Sequence, residues 1–291
     1  MSNFIPMHPC QVDPDYYRDR HADLQGMTDE QAINHFHTYG KHEGRVGTRL
    51  SLREHFSELL SGCGTGLEIG PGLIPTIAGP TVKYFDLLDR DGIIKRGGEE
   101  HPQTPHIDFV SPHGDLSIVT GTYDVVVSSH CIEHQTDLLQ HFKDVERLIN
   151  PGGRYALYIP DKRYCFDHFI AESTLAQVLQ AHAEKRRIHT LESLIEHRAL
   201  ITHNDRWRHW AGDHADADYP LTIAARAQAA IREYVEAGGA YIDVHAWQFT
   251  PDSFHLLLGQ LVQMGMSPLR VDQVYCTVRD HHEFAAVLVR A

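Results

Sequence analysis

The chain has 291 residues, 26 Lys and Arg against 39 Asp and Glu, a formal charge of −13, and 42% hydrophobic residues. That length predicts one large domain with an appendage, and the apolar fraction suffices for a core. An acidic chain without a long Lys/Arg cluster excludes nucleic acid and anionic lipid as expected partners, and no apolar run approaches the ~18 residues of a membrane span.

In chain order, the opening "MSNFIPMHPCQVDPDYY" carries neither a basic n-region nor an apolar h-region, so it does not read as a signal peptide. Residues 1 to about 47 read as a small helical unit. "VDPDYYRDRHADL" has a Pro–Asp start. Thr28 is an expected N-cap with Gln31 three residues on, a capping box, and Gly40 ends the helix that follows. So small a unit cannot bury a core alone and must pack on the rest or on a partner.

From residue 48 the pattern changes. "RLSLREHFSELL" predicts an amphipathic helix. "GLEIGPG", "VKYFDLLD", "TPHIDFV" and "YDVVVSS" predict four strands, "DLLQHFKDVERLI" a helix ended by "NPGG", and "RYALYIP" a fifth strand. Alternating strands and helices imply a parallel, doubly covered sheet. Residues 162 to about 240 interrupt it with helical sequence. Thr250 as N-cap and Pro251 then start a last helix. "LRVDQVYCTV" and "EFAAVLVRA" follow, linked too closely for a crossover, so they are expected to pair antiparallel.

The five cysteines, at 10, 63, 131, 165 and 276, are scattered, with no CxxC pair. Reduced thiols and a cytoplasmic setting are expected, not a disulfide framework or a Cys-based zinc site. Most of the 23 histidines are read as surface or packing residues.

"LEIGPG" ends the first strand, at the edge where open α/β sheets bind ligands. Gly70 and Gly72 let backbone approach a ligand with no Cβ in the way. Residue 75 is Pro, so the turn departs from G-x-G-x-x-G, and Glu68 suits a cationic group such as a sulfonium better than a phosphate. Asp86 ends the second strand at the spacing from which an acid receives a ribose diol. "LEIGPG", "YFDLLD", "YDVVVSSHCIEH" and "LINPGG", in that order, resemble the successive motifs of class I S-adenosylmethionine-dependent methyltransferases. The resemblance spans roughly residues 60–165 and 240–291 and implies S-adenosylmethionine as cofactor. The fold it implies is a Rossmann-like, doubly wound, mostly parallel α/β sheet with a C-terminal antiparallel strand pair. A helical insertion follows the fifth strand, and residues 1–47 stand apart from a methyltransferase domain at 48–291. Glu68, Gly70, Gly72, Asp86, Asp108 and Ser129 form the expected cofactor set.

His130, Glu133 and His134 have the H-x-x-E-H spacing of inverted zinc peptidases. The methyltransferase resemblance instead puts His130 at a strand tip and "EH" at the head of the next helix. Ubiquinone-type O-methyltransferases resemble this stretch with E-x-x-E-H, whose carboxylates and His hold a divalent cation. Here His130 replaces the first acid. A divalent metal on His130, Glu133 and His134 stays open beside helix capping and packing, and the metal-free reading is preferred.

Methyl transfer to an alcohol needs a positioned base. His130, Asp161 and His245 are expected to converge above the cofactor. The alternatives are a pairing of Asp161 with Lys162 or Arg163, and a loop hydrogen bond for His245. The stretch "HTLESLIEHRALITHNDRWRHWAGDHADADYP" reads as a lid whose aromatic faces suit sugar rings, or as a plain helical cover. His203, His209, Asp213 and His214 there are a weaker metal set. "PDKRYCFD" resembles methyltransferases of bacterial surface-polysaccharide pathways, and the N-terminal unit resembles a module attached to their glycosyltransferases. These imply a sugar hydroxyl of a cell-surface glycan as substrate and glycosyltransferases as partners. A small aromatic or quinone-like alcohol, or a non-catalytic scaffold, are the rival readings.

Overall fold

The computed structural model describes residues 10–61 and 64–291; Cys63 and the start of the chain lie outside them. The N-terminal unit is a helical pair, α1 (Pro14–Arg20) and α2 (Asp29–His35). Asp13 caps α1, and Thr28 and Gln31 form the expected capping box on α2. Helix α3 (Arg53–Ser61) follows. The strands are β1 (Gly66–Ile69), β2 (Val82–Asp86), β3 (Phe109–Val110), β4 (Tyr123–Ser129), β5 (Ile149–Pro160), β6 (Leu269–Tyr275) and β7 (Glu283–Arg290). Between them run α4 (Arg90–Gly97), α5 (Leu138–Leu148), α6 (Leu175–Ala183), α7 (Leu191–Ala199), α8 (Arg206–Trp210), α9 (Tyr219–Ala237) and α10 (Pro251–Gln263).

The strands form one seven-stranded sheet, ordered β3-β2-β1-β4-β5-β7-β6. β1 to β5 are parallel, while β7 runs antiparallel to both β5 and β6. The expected α/β architecture with its closing antiparallel pair is therefore present. The alternation of side chains across the pleat divides the core in two. Val126, Tyr155, Leu157 and Ile159 pack with α5, α6 and α10 in one cluster. Val125, Val127, Ala156 and Tyr158 pack with Phe56 and Leu60 of α3 in another. Helix α5 turns Leu138, Leu139, Phe142, Val145 and Leu148 inward, each such burial contributing about 1.5–3 kcal/mol.

Two elements differ from expectation. The third strand shrinks to two residues, and just before it the Asp108 carboxylate binds Lys83 and accepts the Tyr84 amide. The fifth strand starts at Ile149 instead of after "NPGG", with a register shift opposite Tyr123–Val125. Asn150 donates to Asp124 at 2.8 Å, tying that turn to the start of β4.

The N-terminal unit shares the main core: Tyr17, Leu24, Ala32 and Phe36 belong to the same cluster as α5 and α10. Cys10 and Cys276 form a disulfide, Cα atoms 5.5 Å apart. This corrects the expectation of reduced thiols. The pair is 266 residues apart in sequence and meets because residue 10 bridges to Val274 at the edge of β6, a contact that cysteine spacing does not encode. Among the described residues, no helix is long and apolar enough to cross a membrane.

Candidate active site

The C-terminal ends of β1, β2 and β4 lie side by side in the sheet, so their tips build one ledge. At the first tip, Gly70 and Gly72 take positive φ of 70° and 59°. A Cβ on Gly70 would sit 2.5 Å from the Cys131 sulfur, whereas one on Gly72 would meet nothing within 4 Å. The turn is thus bare backbone with open space beside it. Among the described residues, no helix forms between this turn and β2. Asp86 closes β2, buried, with its Oδ1 accepting from the Leu88 amide at 3.0 Å. Burial raises its carboxyl above the usual range. These three residues fit S-adenosylmethionine: a turn open to its amino-acid portion, with a carboxylate one strand away for the ribose diol.

The other expected cofactor residues are engaged elsewhere. Both oxygens of Glu68 accept backbone amides, from Thr76 at 2.8 Å and Ile77 at 3.0 Å. Glu68 therefore shapes the loop after β1 and is not offered to a cation. Asp108 precedes β3 instead of ending it, and binds Lys83 at 2.7 Å. It lines a cleft of about 580 Å³ whose walls include neither Gly70, Gly72 nor Asp86. The Ser129 hydroxyl accepts from Arg53 at 2.6 Å.

Of the three expected catalytic residues, two converge. Asp161 is fully buried, gripped by Arg163 through both oxygens at 2.9 and 2.6 Å, and accepts from the Thr277 hydroxyl. It is a structural ion pair, as the pairing alternative had it, and is removed from the catalytic set. His130 and His245 instead face a common neighbour, Glu133. Glu133 is 1% exposed, and its two carboxylate oxygens have no hydrogen-bond partner among the described residues. Its Oε1 lies 3.8 Å from His130 Nδ1, 3.9 Å from His134 Nε2 and 3.9 Å from His245 Nε2.

Local backbone explains the convergence. β4 ends at Ser129, and His130 takes φ 52°, which breaks the strand. Residues Ile132–His134 form a single 3₁₀ turn, so His130, Glu133 and His134 do not share the long helix of a zinc peptidase. The Glu133 carbonyl accepts the amides of Ala246 at 2.7 Å and Trp247 at 3.2 Å, which delivers His245 to the same point.

Each histidine is held from behind by a carboxylate. His130 Nε2 donates to Glu283 at 2.6 Å, His134 Nδ1 to Asp243 at 2.9 Å, and His245 Nδ1 to Asp167 at 2.6 Å. Glu283 is itself held by Arg53 at 2.7 Å. Burial lowers the His130 pKa, but the Glu283 hydrogen bond and the Glu133 charge outweigh it, and the net shift is upward. His134 behaves alike, with Asp243 the leading raising partner. Sequence reading missed Asp167, Asp243, Glu283 and Arg53. "FD" in "PDKRYCFD" and "DVH" were the available signals, but neither shows that its acid sits behind a histidine.

In the lid, Asp213 pairs with Arg208 at 2.7 Å and leaves the expected metal set. His168 takes its place, stacked on His214 at 3.7 Å and near His209.

The profile of the family described as "Methyltransferase domain" matches residues 59–157, which carry the glycine turn, Asp86 and Glu133. No curated protein matches the chain in sequence. Among solved structures it is similar to the mitomycin 7-O-methyltransferase MmcR, at 13% identity and TM-score 0.39, covering 93% of this chain and 60% of that one. It is similar to the glycopeptide N-methyltransferase MtfA complexed with sinefungin, at 18% identity and TM-score 0.29, covering 38% and 49%. It is also similar to the CcbJ methyltransferase from Streptomyces caelestis, at 12% identity and TM-score 0.40, covering 82% and 94%. The chain thus spans about 60% of the first of these proteins and about half of the second. The match to the methyltransferase-domain family covers residues 59–157, about a third of the chain.

Proposed function

We propose that the protein O-methylates a sugar hydroxyl of a cell-surface glycan or its precursor. The observation that carries this reading is the cluster of three carboxylate-backed histidines around Glu133, immediately past the tip of β4. S-adenosylmethionine supplies an electrophilic methyl group when bound; Gly70, Gly72 and Asp86 are the residues proposed to hold it. An alcohol acceptor must lose a proton, and a base matched to neutral pH serves best. His130 is the proposed base. Glu283 takes its Nε2–H, which leaves the Nδ1 lone pair facing the cluster.

The sugar assignment draws support from the lid. Trp207 exposes large aromatic surface there, as do Phe169 before the lid and Tyr241 after it, with Arg206 stacked over Trp207. Aromatic faces beside polar edges suit the CH faces and hydroxyl rims of a sugar. We read residues 1–47 as an attached module and 48–291 as the methyltransferase domain, joined by the shared core and the disulfide. Glycosyltransferases of the same pathway are the module's proposed partners, and the cytoplasm is the proposed location. The test is transfer of isotope-labelled methyl from S-adenosylmethionine to a panel of glycosides and of catechol-type alcohols, read by mass spectrometry. Labelled glycoside is expected; label in the aromatic alcohols alone would redirect the assignment.

A further inference from the structure

Four groups meet at one point. Asp243 takes the Nδ1–H of His134 and Asp167 takes that of His245, so each ring presents its Nε2 to Glu133, and His130 presents its Nδ1. Glu133 offers two buried oxygens that lack a hydrogen-bond donor among the described residues. A buried carboxylate left unpaired is costly, and a cation held between it and the rings would remove that cost.

We infer that Glu133, His134 and His245 bind a divalent transition-metal ion beside the acceptor site. Their ligand atoms lie within 4.8 Å of one another, and the rings of His134 and His245 stand perpendicular with centroids 4.7 Å apart, which lets both nitrogens point at one ion. Imidazole and carboxylate together suit Zn²⁺ and its first-row neighbours better than Mg²⁺ or Ca²⁺. The Asp243–His134 and Asp167–His245 pairs are the carboxylate–histidine supports that fix tautomer and ring direction at metal sites. This ligand set differs from the contiguous one that the H-x-x-E-H spacing suggests. His245 comes from beyond the lid, and His130 stays outside the set. The role of the ion rests on the O-methyltransferase reading: held by Glu133, His134 and His245, it would supply Lewis-acid polarisation of an acceptor hydroxyl.

The experiment is calorimetric titration of the full chain with Zn²⁺ after chelator treatment, run beside a separate titration with S-adenosylmethionine. One Zn²⁺ per chain is expected at this site. Glu133→Gln and His245→Gln are each expected to abolish it, and Asp167→Asn, which removes only a positioning residue, to weaken it about 10–100-fold. His209→Asn is the control for the His168–His209–His214 cluster and is expected to leave this binding intact. Cobalt substitution gives a second readout: its visible spectrum is expected to change in His134→Asn, and this decides the matter if Glu133→Gln fails to fold. Zinc affinity unchanged by all the Glu133, His134 and His245 variants, or lost only in His209→Asn, overturns the proposal. Cofactor affinity separates the two readings, since a metal site that fails while S-adenosylmethionine still binds leaves the methyltransferase assignment standing.

Discussion

Tyr164 and Trp210 stack face to face, ring centroids 3.8 Å apart and planes 7° from parallel. The Trp210 indole N–H donates to the His281 carbonyl at 2.8 Å, and a Cβ on Gly44 would meet the same indole at 2.7 Å. One side chain thus joins the segment after β5, the lid helix α8, the β6–β7 turn and the N-terminal unit. It is spent on packing and is not a platform for a sugar. Trp210→Ala is expected to lower the unfolding free energy by about 2–4 kcal/mol. Trp207→Ala, at a residue 59% exposed, is expected to change stability by less than about 0.5 kcal/mol while raising KM for the proposed glycan acceptor. Denaturant unfolding and steady-state kinetics on both variants check the division; the reverse pattern contradicts it.

The glycine turn makes the cofactor assignment testable. Gly70→Val combines a φ of 70° with a Cβ 2.5 Å from the Cys131 sulfur, so binding of S-adenosylmethionine should be lost in a variant that still melts cooperatively. Asp86→Ala should weaken binding by about 1.5–3 kcal/mol, the scale of a hydrogen bond to a charged group. Calorimetry decides both, and an unchanged dissociation constant for Asp86→Ala moves the ribose contact elsewhere.

A buried histidine sets an acid limit on stability. His141, on the buried face of α5, is bonded to the Tyr155 hydroxyl at 2.9 Å, which in turn meets Ser128 at 2.7 Å. Burial lowers its pKa to about 4, below an unfolded value near 6.5. The unfolded chain therefore binds the proton first. Stability should fall as pH drops from about 6.5 towards 4 and lose nothing more to this residue below that, a loss on the order of 3 kcal/mol. His141→Gln should flatten that part of the profile, measured by denaturant midpoint against pH. An unaltered slope contradicts the assignment.

The disulfide should matter to stability and not to the cofactor. Cys10→Ser is expected to cost about 2–4 kcal/mol and to leave affinity for S-adenosylmethionine within about threefold, since β1 and β2, which carry the Gly70 turn and Asp86, lie far along the sheet from β6. Parallel melting and titration of the variant check this.

The sheet was legible because its signals are local. "YDVVVSS" is an apolar run buried on both faces of the sheet, "LEIGPG" marks a strand edge, and Thr250–Pro251 starts a helix as its chemistry requires. The site was half legible. His130, Glu133 and His134 are neighbours in sequence, and His245 was singled out by its place before the last helix. Which carboxylate stands behind which ring depends on contacts between β7, the lid and the segment after α9, and no short-range pattern encodes those. Asp161 misled because strand-tip placement says where a residue is, not whom it meets; Arg163, two residues on, already holds it. Glu68 misled in the same way, its charge answered by two amides of its own loop.

The covalent link between Cys10 and Cys276 also decides how the molecule bears load. A pull applied at residues 10 and 290 passes from residue 10 directly to residue 276, so everything between those two is shielded. Of that span, the segment from 276 to 290 bears the force, and its strand β7 is clamped between β5 and β6. Stretched between those points under oxidising conditions, the protein should yield a single short extension, on the order of 3.5 Å per residue of that segment. With the link reduced, the whole chain should unravel.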